Sequence, residues 1–228
     1  GLPALEKDQK EQAYDEMVLY TLLHAGVPRA APEIVKLVQK IQPKPLDRTY
    51  TTALRAMAFQ LYDPELTKAD LTNCAMFLID NQCKNGQWSY GKPVPLPKVT
   101  FTPDTRKYTA SGPGGGSVST DGAAPPPSRA TVTKTKKRLA RRAWSDETGD
   151  NSNTQYAMLG LKACMAAGIH PPEDCLKLNE QWYTKNQDYS DGGWNYGFLG
   201  VKSYGSMTVG GVSSLAICVS ETGKTKPA

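Results

Sequence analysis

The chain has 228 residues; at 39% hydrophobic and 21% charged it falls slightly under globular averages on both counts, and 20 Gly with 17 Pro take up the shortfall. Its net charge of +5 is local: residues 93–149 carry 10 Lys and Arg against 4 acids, so the remainder is nearly neutral. With no run of about 18 apolar residues and no charged-then-apolar leader, the composition excludes a membrane-spanning helix, a collagen-like chain and a disulfide scaffold.

The first predicted helix is Tyr14 to Ala25, apolar on nearly all sides and stopped by Gly26, Val27 and Pro28. The second opens on Pro32; Ile34, Leu37, Val38 and Ile41 recur at helical spacing as one apolar stripe, and Pro43 and Pro45 end it. The alternation then repeats. Thr49 to Tyr62 is mostly apolar with small residues, and Leu66 to Gln82 is amphipathic. After a long interruption, Asn153 to Gly168 is apolar and Pro171 to Gln187 amphipathic, with acids in its first turn. A last apolar helix runs from Ser206 to Gly223.

A helix that is apolar all round must be covered on both sides, whereas a one-sided helix lies outside. Stacked pairs of the two kinds make an all-α array with an inner and an outer layer. The interruption, 93–149, holds SGPGGGSVSTDGAAPPPS, which cannot bury a core and reads as a disordered insertion ending in the basic run Lys134 to Arg142. We therefore expect one domain made of residues 1–92 and 150–228, split by a Gly/Pro-rich basic insertion over 93–149.

Two segments share more than periodicity. In one, Phe77-Leu78 is followed after three residues by Gln82 and then by Gly86-Gln87-Trp88. In the other, Trp182-Tyr183 is followed by Gln187 and Gly192-Gly193-Trp194; the copies continue as Ser89-Tyr90-Gly91 and Asn195-Tyr196-Gly197. This resembles the QW motif of squalene-hopene cyclases and their relatives. The resemblance implies an α/α toroid, the fold of triterpene cyclases, protein prenyltransferase β-subunits and complement-type thioester domains. On that basis the chain holds three helix pairs and the first helix of a fourth. That is an incomplete ring, cut from a longer protein or completed by association with a partner; the opening Gly1 in place of Met agrees with trimming upstream. Gln82, Trp88, Gln187 and Trp194 read as structural staples, with Gln bonding groups at helix ends and Trp covering the junction.

The chemistry of those relatives is not visible. Cyclases carry Asp-x-Asp-Asp-Thr at the mouth of an inner helix; the comparable stretch is Asp150-Asn151-Ser152-Asn153-Thr154, where only the first acid remains. Ser152 and Asn153 are not strong proton donors, and Asp150 or Ser152 reads as a helix N-cap. The prenyltransferase zinc set of Asp, Cys and His has no counterpart, with His24 and His170 the only histidines and Asp174-Cys175 adjacent rather than spaced. The thioester motif, a G-x-S-x-G elbow and a P-loop are absent. The five cysteines, Cys74, Cys83, Cys164, Cys175 and Cys218, show no CxxC pair and are expected as free thiols.

No catalytic residue, metal or cofactor is therefore assigned. The candidate ligand-lining residues are Asp150, Trp88, Tyr90, Trp194, Tyr196 and Tyr204, which fall at the loops beside the inner helix ends. The expected role is binding of an isoprenoid-like apolar ligand or a protein partner in the ring. The competing reading is a divergent terpenoid cyclase or prenyltransferase whose catalytic acids lie outside this chain. Nucleic acid is expected only through Lys134 to Arg142, which has Trp144 alone as a stacking aromatic. The compartment is unassigned.

Overall fold

The computed structural model describes residues 15–103, 136–197 and 202–223. The described chain is all-α, with seven helices and two short strands. The helices are α1 (15–24), α2 (Pro32–Ile41), α3 (Thr49–Tyr62), α4 (Lys68–Asp80), α5 (Asn151–Ala166), α6 (Glu173–Lys185) and α7 (Gly205–Thr222). The strands β1 (Lys137–Arg138) and β2 (Ile169–His170) form one parallel pair.

Local chemistry sets the boundaries. α2 starts on Pro32, carries Glu33 in its first turn and Lys40 in its last, and buries Ile34, Val38 and Ile41. The turn from α3 to α4 is held by Asp63, whose Oδ1 accepts from the backbone N–H groups of Glu65 (3.1 Å) and Leu66 (3.0 Å). α5 is capped by Asp150, and Gly168 follows its end in the left-handed region, φ +81°.

The apolar helices α3, α5 and α7 pack side by side, α3 most extensively on α5. A Cβ on Gly160 of α5 would stand 2.8 Å from the Cα of Ala53, so this close crossing requires glycine there. α4 packs over both α3 and α5, and α6 packs on α7. The core runs through Phe59, Tyr62, Phe77, Leu78, Trp88, Met158 and Leu161, all fully buried. Each such side chain contributes about 2–3 kcal/mol of transfer free energy. Among the described residues no helix is long and apolar enough to cross a membrane.

Two expectations need correction. α4 is not a one-sided helix: Asp70, Asn73 and Asp80 are buried along with its apolar residues. Asp70 is held by Arg55 of α3, while for Asn73 and Asp80 the cause lies in the second correction, because the flanks of the insertion pack on the domain. Residues 93–103 have no regular secondary structure, with Val94, Leu96 and Phe101 against the core, and Leu139 packs there from the other flank.

Three arginines of the basic run are tied to the domain in the same way. Arg141 Nη1 donates to Ile79 O (2.6 Å) and its guanidinium stacks 3.8 Å from the Trp144 ring. Arg142 Nε donates to the buried Asp80 carboxylate (2.7 Å). Arg138 pairs with Glu173 at 3.7 Å. These residues are bound to α4 and α6, not held out as an arm. The central stretch expected to be disordered, with Lys134, lies outside the described residues.

Candidate functional site

The QW loops follow α4 and α6, and each ties three helices together. In the first, Trp88 Nε1 donates to Leu78 O (2.7 Å) in the last turns of α4. Trp88 N donates to Thr154 Oγ1 (3.0 Å) in the first turn of α5, and Tyr90 O accepts from Thr49 N (2.8 Å) at the start of α3. In the second loop, Trp194 Nε1 donates to Tyr183 O (2.9 Å) in α6 and Trp194 N to Thr208 Oγ1 (3.2 Å) in α7. Tyr196 O accepts from Asn151 N (2.9 Å) at the start of α5. Leu78 and Tyr183 each precede their motif's Gln by four residues, so the two loops repeat one bonding scheme.

Backbone conformation repeats as well. Gly86 and Gly192 have φ +95° and +75°, and Gly91 and Gly197 have φ +92° and +148°, values that exclude an ordinary side chain without strain. Gln82 Nε2 donates to Gly86 O (3.2 Å) and across to Cys175 O (2.9 Å) at the start of α6. Gln82 thus bonds a carbonyl at a helix end, and its Oε1 accepts from Arg141 Nη2 (2.7 Å). Gln187 Nε2 donates to Gly192 O (2.6 Å) within its own loop.

These bonds separate the six candidate lining residues into three groups. Trp88 and Trp194 are buried by the helices they join and present no surface to a ligand. That corrects their place as cavity residues: an indole whose N–H is spent on a helix carbonyl lies inside the junction. Tyr90, Tyr196 and Asp150 come together at the starts of α3 and α5. Tyr196 hydrogen-bonds both Tyr90 and Asp150; burial, then the Asp150 charge and these bonds push its phenol up to about 12. Tyr90 is 62% exposed at the rim. Tyr204 is the N-cap residue of α7 and is also exposed, but among the described residues no side-chain hydrogen bond joins it to this cluster.

Asp150 is the N-cap of α5. Its Oδ1 accepts from Asn153 N (2.7 Å) and its Oδ2 from Asn153 Nδ2 (2.9 Å). An acid that starts a cyclisation must present its proton to substrate, and here both oxygens are already engaged with the protein.

Sequence reasoning missed the surface next to this cluster. Tyr50 of α3 and Tyr156 of α5 meet edge to face with centroids 4.3 Å apart, and the Tyr50 hydroxyl reaches Met17 Sδ of α1 at 4.0 Å. Further along the same helices Met57 and Leu159 are only partly buried, and α7 exposes Val209, Val212 and Val219. The available signal was position: Tyr50 and Tyr156 each lie two residues from Thr52 and Thr154, the fourth residues of α3 and α5.

All five cysteines are buried free thiols, and burial pushes Cys164, Cys175 and Cys218 up to about 12. Among the described residues no group of three metal-ligating side chains converges. Comparison with protein-family models, with curated proteins and with solved structures returns no match to this chain.

Proposed function

We propose that this chain is a toroid domain of the squalene cyclase and prenyltransferase repeat kind, non-catalytic within these residues, whose inner helices bind an apolar, isoprenoid-like ligand. The observation that carries the reading is the continuous Met17–Tyr50–Tyr156 surface across α1, α3 and α5. Three neighbouring apolar helices that share a core on one side leave aromatic and thioether groups uncovered on another, which suits a long hydrocarbon. The repeated QW loops support the toroid part, because they fix each inner helix start to the preceding outer helix by the same bonds. The engaged Asp150 carboxylate supports the non-catalytic part.

The test is a thermal-unfolding titration with farnesol and with squalene. At ligand about 100 times Kd, linkage adds about 2.7 kcal/mol and Tm rises by several degrees. Tyr156→Asp should remove the rise while leaving the unliganded fold in place, because Tyr156 is only partly buried. No rise with either ligand would reject the ligand reading; turnover of squalene by this chain would reject its non-catalytic half.

A further inference from the structure

The repeated bonds of the QW loops align the apolar helices residue for residue. Thr154 and Thr208 each accept from the backbone N–H of their motif Trp, which sets Val209, Val212 and Val219 of α7 on Gln155, Met158 and Met165 of α5. Thr49 N and Asn151 N each donate to a motif Tyr carbonyl, which sets Ala53, Ala56 and Ala58 of α3 on Gln155, Met158 and Gly160 of α5. Gly26 and Gly168 follow α1 and α5 at φ +82° and +81°, and matching bonds run from Ala25 N to Thr21 O and from Ala167 N to Ala163 O. Glu16, Val18, Thr21 and Leu23 of α1 therefore stand where α5 has Met158, Gly160, Ala163 and Met165.

In this register each helix turns one face forward, to the apolar helix after it, and one backward, to the apolar helix before it. Ala53 of α3 meets Gly160 of α5, and a Cβ on Gly210 of α7 would meet the Gln155 side chain of α5. Ala53 and Gln155 thus mark the forward face; on α7 the same position is Val209, which is 69% exposed. Its neighbours follow suit. Glu16, Ala56 and Met158 are buried where Val212 is 57% exposed, and Leu23 and Met165 are buried where Val219 is 59% exposed. The backward face is open at the other end of the array. Ala58, Gly160 and Ser214 are buried where Val18 of α1 is 42% exposed, and Ala163 and Ile217 are buried where Thr21 is exposed.

We propose that the forward face of α7 docks on the backward face of α1 in a second copy of this chain. The structure holds both halves of one contact, each uncovered by any described residue, and the contact that joins them is the one already made from α3 to α5 and from α5 to α7. Charge does not oppose it. From Gly205 to Ser220 α7 has no charged residue, while Asp15 of α1 is paired with Lys40 and Lys44 and Glu16 is buried. The contact is head to tail, so it closes where the rotation between copies allows and otherwise extends to a third copy. Apolar helices alone make a small interface, so association depends on concentration. The proposal rests on the helix repeat and not on the isoprenoid-like ligand.

The experiment is sedimentation equilibrium on the whole chain from about 1 to about 300 µM, a range that suits a small interface. The average mass should rise with concentration from one chain toward two or more. Val212→Glu and Val18→Glu each put a charge into the contact and should weaken association at least about tenfold, with an unchanged circular dichroism spectrum because both positions are exposed. Mixed in equal amounts, the two variants should form a two-chain complex, since one supplies an intact α1 face and the other an intact α7 face. Val209→Glu and Thr21→Glu replace them if either variant does not fold. A monomer at every concentration would overturn the proposal and leave the valine face to an unlike partner. Association that survives Val18→Glu but not Val212→Glu would overturn it in favour of a symmetric α7–α7 contact. A mixture of the two variants that stays monomeric would overturn it as well. All these masses are read without ligand, so their outcome is independent of the farnesol and squalene titration.

Discussion

The two QW loops share their backbone bonds but differ in what covers them. The first is enclosed: Gln82 is fully buried, crosses to Cys175 of α6 and receives Arg141 from the insertion flank. Around it Lys84 N and Asn85 N donate to Asp146 O and Glu147 O, and Ser145 N donates to Gln82 O. The second loop has the same Trp and Thr bonds, yet among the described residues Gln187 bonds only within its own turn. The motif's Trp thus does the same local task in both loops, while the Gln of the first loop links α4 to α6 where the insertion flank covers it.

That contrast predicts unequal costs for equal substitutions. The largest effect belongs to Trp88→Ala, which empties a fully enclosed site and should cost about 4–5 kcal/mol in urea unfolding. Trp194→Ala, at the less covered junction, should cost about 3 kcal/mol. A larger loss at Trp194 than at Trp88 would break the comparison. Next comes Gln82→Leu, which strands the Cys175 carbonyl and removes the acceptor of Arg141; about 2–3 kcal/mol is expected. Gln187→Leu, at a half-exposed turn, should cost about 0.5 kcal/mol. Equal losses for the two glutamines would show that the insertion flank contributes nothing to the first loop.

Thr154→Val and Thr208→Val sharpen the shared part of the scheme. Each keeps the side-chain shape and removes the hydroxyl that accepts from a Trp backbone N–H, so both should lose about 1–2 kcal/mol. Thr154 stands to lose slightly more, because its hydroxyl also donates to Asp150 O at 2.5 Å. A neutral result at both positions would mean that the indole alone fixes the loops.

These differences also show what the chain reveals before folding. All seven helices were readable because Pro32, Gly26, Gly168 and the apolar alternation mark ends and faces locally. Asp150 was readable as one of two cap candidates, with Ser152, and the structure selects it. The burial of α4 was not, because it comes from Leu96 and Arg142, which sit in a stretch whose Pro content and charge read as solvated. Arg141 and Arg142 look like part of a basic run until Asp80 and Gln82 are brought beside them from about 60 residues away. The motif tryptophans were legible as staples and misleading as lining residues, since a pattern shows that an indole is needed but not which side of it faces solvent. The Tyr50–Tyr156 contact was harder to read because it joins residues 106 apart, and its one local sign is a first-turn threonine two residues from each ring.

The smallest expected effect concerns the polar cluster above the second loop. Tyr196 holds its proton up to about 12, against an ordinary value of 10, because ionisation would place a second negative charge beside Asp150 in a partly buried site. Between those two pH values the unfolded chain has released this proton and the folded chain has not. Stability therefore falls as pH rises from about 10 to about 12, and the full contribution is present below about 10. Tyr196→Phe should flatten that part of the pH–stability curve and remove one late-titrating phenol from the ultraviolet titration. Tyr90→Phe should flatten the curve less, since burial and the Asp150 charge, the two leading causes of the shift, both remain. If both variants leave the alkaline limb unchanged, the carboxylate and the phenol do not face each other in solution. The resemblance between the two loops would then end at their tryptophans, without extending to the aromatic rim.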